Sequence, residues 1–226
     1  MRNPFSPLYL LGFVLLLIFL LVFVQMGLLS LAMEKLGLSM GQGMLLLLTS
    51  LFGSAINLPV TSIKAERPLP DEALNENLPN PRRLLHLPMM PFTGHTVIAV
   101  NVGGCMVPLV FSISLMVRFS LDLPTLLLAI GVTSAICYAA SRPIPGIGIG
   151  MPIFIAPLTA ALVALFIDSG LAAPLAYISG TLGVLIGADL LRMRDIGKLG
   201  TPFASIGGAG TFDGIFLTGI VAVLLT

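Results

Sequence analysis

Residues 171–191 read LAAPLAYISGTLGVLIGADLL, a run in which Asp189 is the one charged side chain. A helix needs about 20 mostly apolar residues to cross a hydrocarbon core roughly 30 Å thick, and this run supplies them. Ser179, Gly183 and Gly187 recur at every fourth position, a small-residue seam of the kind that lets membrane helices approach closely. Asp189 lies about 200° round the helix from Gly187, away from that seam. The run therefore reads as a membrane helix carrying one carboxylate.

Outward from it, apolar runs recur at about 8–31, 43–60, 95–117, 123–140, 151–167 and 206–225. Across the 226 residues, 57% are hydrophobic and only 9% charged, with a mean hydropathy of +1.06. That is more apolar surface than a soluble domain of this size buries. The expected class is all-α: a polytopic transmembrane helix bundle of about seven spans, residues 1–226 forming one domain with the lipid bilayer as its solvent. Pro59, Pro108, Pro157 and Pro174 fall within or at the edges of these runs, which predicts kinked or broken helices because proline removes a backbone donor. The run at 8–31 is too long for a signal peptide, whose apolar region spans about 7 to 15 residues, and reads as a retained first span.

Cation placement orients the bundle. With the N-terminus cytoplasmic, Arg2, Lys64, Arg67, Arg82, Arg83, Arg142, Arg192, Arg194 and Lys198 fall inside, leaving Lys35 and Arg118 outside. The positive-inside rule then predicts a multi-pass plasma-membrane protein with its N-terminus in and its C-terminus out. The polar stretch at about 61–91, with six prolines and charges of both signs, reads as a cytoplasmic loop unable to form its own core. Its Arg82-Arg83 region suits the headgroup surface. Ser141–Pro152 is too rich in proline and glycine for regular helix and reads as a structured turn or re-entrant piece. A net charge of +1 gives no reason to expect a nucleic-acid partner. Cys105 and Cys137 lie in apolar segments without metal-ligand spacing, and neither a metal nor a cofactor is implied.

Two acidic residues stand apart from obvious loops. Asp213 is followed by only 13 residues, about 20 Å of helix, so a full crossing by the last span places it inside the membrane boundary. Asp189 precedes the same connector on the adjacent antiparallel run, so the two carboxylates are expected to meet in the cytoplasmic half. A carboxylate at depth is costly and marks a cavity or a partner. A pair sharing one proton yields an acid and a base able to activate water against a carbonyl. The same pair would also suit a proton or cation site in a transporter. The alternative is structural: Asp213 as a helix N-cap, Asp189 reaching the interface beside Arg192, and a non-catalytic scaffold. Asn57 and Asn101 are candidate cavity residues or interhelical hydrogen bonders. His95, Gly207, Gly208, Gly210 and Thr211 complete the candidate set, the glycines as irregular or closely packed backbone leading to Asp213.

The run Gly-Thr-Leu-Gly-Val-Leu-Ile-Gly-Ala-Asp-Leu-Leu, followed by Ile-Gly-Gly-Ala-Gly-Thr-Phe-Asp-Gly-Ile-Phe-Leu-Thr-Gly, resembles a family of prokaryotic integral membrane proteins catalogued as a domain of unknown function. Asn57-Leu58-Pro59 and Asn101-Val102-Gly103-Gly104 fit the same family. More distantly, two aspartates with a glycine-rich lead-in resemble the Gly-x-Gly-Asp intramembrane peptidases of the presenilin and prepilin-peptidase type. Here Thr211 and Phe212 stand between Gly210 and Asp213. That resemblance implies an aspartyl peptidase with Asp189 and Asp213 as catalytic residues and a membrane-embedded peptide as substrate. A small proton- or cation-coupled transporter stays open beside it, the partner then being an ion.

Overall fold

Helix and strand divide the apolar runs between them in the computed structural model, which describes residues 16, 25–65, 94–144, 148–208 and 214–226. Helix α1 covers Gln25–Lys35 and turns through Leu36–Leu38 into α2, Met40–Gly53, the two bent by 106°. A capping box starts α2: Gln42 N–H donates to Ser39 Oγ at 3.3 Å, and Ser39 N–H donates to Gln42 Oε1 at 2.9 Å. Those two bonds satisfy donors that the first helical turn leaves unpaired. After Ser54 the chain becomes extended as β1, Asn57–Lys64. Strand β2 is His95–Asn101, and a π turn at Val102–Met106 leads into α3, Val107–Arg118. Helix α4 is Leu123–Ala140. The short strands β3, Arg142–Ile144, and β4, Gly148–Gly150, pair antiparallel, a hairpin where a structured turn is expected. Helix α5 is Ile155–Ile167. Helix α6, Ala172–Val184, winds on as a second π segment through Leu190. Then come α7, Met193–Ile196, β5, Phe203–Ile206, and α8, Gly214–Leu225.

Helix α6 is the hub. It packs against α3, α4, α5 and α8, and every residue from Pro174 to Val184 is buried. The predicted seam accounts for its closeness to α4, since a Cβ at Gly183 would run into the Thr133 side chain and one at Gly187 into the Ser134 carbonyl. The surrounding helices turn large apolar side chains outward, among them Leu127, Leu128 and Val132 of α4 and Leu162 and Phe166 of α5. A contiguous apolar exterior of that kind is rare on monomers facing water.

The expectation of seven spans and an all-α chain is corrected. Among the described residues two helices are long and apolar enough to cross a membrane, Leu123–Ala140 and Ala172–Leu190, or three if the bent α1–α2 pair counts as one span. Val102–Arg118, Ile155–Ile167 and Ile215–Leu225 are apolar but shorter; the 13 residues of α5 make about 20 Å of helix. The runs at 43–60 and 95–117 each mix helix with strand. The last four residues of the first belong to β1, and the first seven residues of the second are β2, their β-branched residues favouring extended backbone. Thr61–Lys64 belong to β1 rather than to a loop; residues 66–93, and with them most of the expected cytoplasmic loop, lie outside the described residues. The prolines break no helix mid-length. Pro157 and Pro174 sit in first turns, where the missing N–H would have no partner anyway, and Pro108 follows directly on the π turn inside the continuous Val102–Arg118 helix. Pro59 sits in β1 beside the register irregularity between Pro59 and Thr61, on an edge strand that tolerates proline.

The small sheet has the order β1-β2-β5. Strand β1 runs antiparallel to β2, pairing Asn57 with Asn101 and Lys64 with His95. Strand β5 runs parallel to β2, pairing Val97 with Phe203 and Val100 with Ile206. Parallel neighbours require a crossover, and here residues 102–202, which hold α3 to α7, supply it.

Candidate functional site

The last residues of α2, the start of β1, the end of β2, the first π turn and the end of β5 converge on Asn101. Its side chain is fully buried. Asn101 Nδ2 donates to the Ser54 carbonyl at 2.7 Å and to Asn57 Oδ1 at 3.1 Å, while Gly104 N–H donates to Asn101 Oδ1 at 2.8 Å. Ser205 Oγ donates to the same Asn57 oxygen at 2.6 Å. Ser50 Oγ donates to the Gly103 carbonyl at 2.9 Å. Gly103 must lack a side chain, because a Cβ there would enter the Ser50 carbonyl and the Ser54 amide. One amide side chain thus holds a helix end, two strands and a π turn in fixed relation.

Asp189 joins this assembly from the second π segment. It is half-buried, and the Gly207 N–H donates to its Oδ2 at 3.2 Å. Gly207 follows β5 directly, with φ of +82°, and Gly208 has φ of +93°, a left-handed conformation that L side chains resist. A Cβ at Gly207 would also strike the Cys105 and Gly104 backbone. Asp189 is therefore anchored to a glycine turn that is itself wedged against the first π turn. Single-turn π segments occur disproportionately at functional sites, and both of those described here adjoin this one turn.

The sequence-predicted residues are brought together in part. Asn57 and Asn101 touch, and Asp189 reaches Gly207, two residues beyond Ser205. The two asparagines lie in strands and not in membrane helices, so their first partners are each other and the neighbouring backbone. His95 is at the far end of β2, six residues and about 20 Å from Asn101, and is exposed; it does not line this site. Gly208 continues the turn, whereas Gly210, Thr211 and Asp213 lie outside the described residues, and with them the expected approach of the two carboxylates. Ser54 and Ser205 were not foreseen, because short serine-containing stretches such as Phe-Ala-Ser-Ile carry no pattern that marks a hydrogen-bond partner. Among the described residues no group of three or more His, Cys, Asp or Glu side chains gathers as a metal site would.

Arg192 is not the partner of Asp189. It reaches across to the end of α4, donating from Nη2 to the Tyr138 and Ser141 carbonyls, each at 2.8 Å, and from Nε to Ser141 Oγ at 3.2 Å. Its guanidinium stacks 4.2 Å over the Tyr138 ring. A cation over the last carbonyls of α4 answers the negative end of that helix. Its remaining partner is Asp195, at 3.2 Å, which Lys198 also meets at 3.0 Å. Hydrogen bonds from Lys198 and then Arg192 hold the Asp195 carboxyl below the usual carboxylate range. At the other end of the bundle a pocket of about 270 Å³ is lined by Lys35, Phe119 and residues 169–174. It lies about 25 Å along α6 from Asp189.

The molecule is thus a helical bundle clasped at one end by a mixed three-stranded sheet, with a half-buried carboxylate fixed where sheet and bundle meet. The chain belongs to the family described as Protein of unknown function (DUF1614), whose model matches residues 51–225. Comparison with curated proteins and with solved structures finds no match. The family match begins inside α2 and takes in every element of the assembly around Asn101, Asp189 and Gly207.

Proposed function

We propose that this chain is a multi-pass plasma-membrane protein, its N-terminus cytoplasmic and its C-terminus outside, that acts as an intramembrane aspartyl-type peptidase through Asp189 and Asp213. The observation that carries the reading is the Asp189 carboxylate, held on the Gly207 amide at 3.2 Å, six residues before Asp213. A half-buried carboxylate at the end of an apolar helix is costly to insert and calls for a use. Here the Gly207 backbone N–H helps to fix it in place.

Asp189, as acceptor from the Gly207 N–H, takes the role of the ionised base and Asp213 that of the acid. The base removes a proton from water as its oxygen bonds to the scissile carbonyl carbon, and the acid protonates the carbonyl oxygen. Collapse of the tetrahedral intermediate then breaks the C–N bond, with a proton passing to the leaving amine. The outward apolar surface of α4 and α5 and the cations at the Arg192 end support the membrane placement. The distant likeness to Gly-x-Gly-Asp peptidases supports the reaction class.

The test is cleavage of a membrane-embedded peptide by purified protein in liposomes. Asp189→Asn and Asp213→Asn should each lower the rate by at least about 10³-fold, as loss of an essential acid or base does, and the wild-type rate should follow a bell in pH. Unchanged cleavage in both variants sinks the peptidase. Aspartate-dependent proton or cation flux with no peptide cut would replace it with a coupled transporter.

A further inference from the structure

Among the described residues, charge is distributed very unevenly between the two ends of the bundle. At the end holding Lys35 and Arg118, the described acidic residues are Glu34, Asp122 and Asp168, so cations are slightly outnumbered. At the Arg192 end stand Lys64, Arg142, Arg192, Arg194 and Lys198, with Asp195 as the facing surface carboxylate. Lys64 belongs with them because its carbonyl lies against Gly197, and Arg142 because it follows the Ser141 that Arg192 binds. Asp195 is already shared by Arg192 and Lys198. Arg192 is fully engaged at the end of α4. Among the described residues Lys64, Arg142 and Arg194 have no ion-pair partner, and all three are exposed.

Large apolar side chains stand exposed among these cations. Leu190 and Leu191 directly precede Arg192, Ile144 closes the strand that Arg142 opens, and Ile153 and Phe154 lead into α5 at 72% and 67% exposure. A surface facing only water has no use for that mixture. One facing the boundary between headgroups and acyl chains uses both halves, the cations meeting phosphate and the apolar groups entering the chain region.

We propose that this end is a docking surface for anionic phospholipid, with Arg142 and Arg194 receiving lipid phosphates on their guanidinium forks and Lys198 adding charge. A guanidinium suits this role because its planar donors match two phosphate oxygens at once. The opposite end, with more acids than cations among the described residues, should show no such preference. The inference rests on the membrane placement proposed above but not on the peptidase.

The experiment measures binding of short-chain phosphatidylglycerol and phosphatidylcholine to the full chain in neutral detergent, together with carbonate extraction of the protein from cell membranes. Wild type should prefer phosphatidylglycerol, and the preference should weaken as salt rises. Arg142→Gln and Arg194→Gln should each lower the phosphatidylglycerol affinity by about five-fold, the equivalent of roughly 1 kcal/mol per cation, while Lys35→Gln and Arg118→Gln leave it unchanged. Equal binding of the two lipids, or arginine variants that bind like wild type, in a protein that resists carbonate overturns the lipid surface alone. Tighter binding of a soluble acidic peptide than of phosphatidylglycerol overturns it in favour of a protein partner. Release by carbonate overturns the membrane placement with it.

Discussion

Asn101 shows how much one buried amide can hold. It satisfies the Ser54 carbonyl and the Gly104 N–H and it binds Asn57, so its loss would strand two backbone groups away from water. An unmade buried hydrogen bond costs about 1–3 kcal/mol for each group left behind. Asn101→Ala is therefore expected to destabilise the fold by about 2–4 kcal/mol, read as a lowered denaturation midpoint. Asn57→Ala should cost less, because Asn57 is only half-buried and its oxygen accepts bonds that water can replace. Equal costs, or an Asn101→Ala protein as stable as wild type, would show that the network does not carry the sheet. The two asparagines were legible in the sequence as amides in apolar surroundings needing partners. Ser205 was not, since nothing distinguishes a serine that meets Asn57 from 148 residues away from one that meets solvent.

Helix α4 was read to its boundaries because its ends carry explicit signals. Asp122 Oδ2 accepts the Thr125 N–H at 3.0 Å, which holds its carboxyl below the usual range, Pro124 lies in the first turn, and Arg142 follows the last. The run at 43–60 carries no comparable stop, and a length criterion alone passes straight through Ser54 into β1. The clustering of β-branched residues in Val-Thr-Ser-Ile and Thr-Val-Ile-Ala-Val held the missing information, yet short apolar runs do not separate strand from buried helix by periodicity. The seam on α6 was legible and has a measurable consequence. Gly187→Leu would push α6 away from the Ser134 backbone, and overpacking of that kind costs typically 1–3 kcal/mol or more. At exposed Gly131 of α4, where a Cβ meets nothing within 4 Å, the same substitution should be tolerated or slightly stabilising through helix propensity. Comparable losses at both positions would show that close α4–α6 contact is not what Gly187 provides.

The whole molecule is organised by the parallel pairing of β2 with β5, which brings residues 97 and 203 into register across the entire bundle. A disulfide between Val97→Cys and Phe203→Cys should form, because Cα partners on neighbouring strands lie within bridging distance. Closing a loop of about a hundred residues stabilises a freely unfolding chain by up to about 5 kcal/mol. Apolar helices that stay in the bilayer on unfolding would reduce that figure. Failure of the pair to oxidise in the folded protein would contradict the register. Retained activity in the stapled form is expected as well, since Asp189 and Gly207 are already in contact with β5 in place.

That pairing also sets a schedule. During synthesis β2 leaves the ribosome about a hundred residues before β5 exists, so its second edge waits unpaired while α3 to α7 are made and placed. Until β5 arrives, Gly207 cannot offer its amide to Asp189, and the carboxylate is left without that anchor. A chain interrupted between Asp189 and Phe203 would carry Asp189 without the Gly207 turn that binds it. The fold thereby makes the anchoring of Asp189 conditional on late assembly.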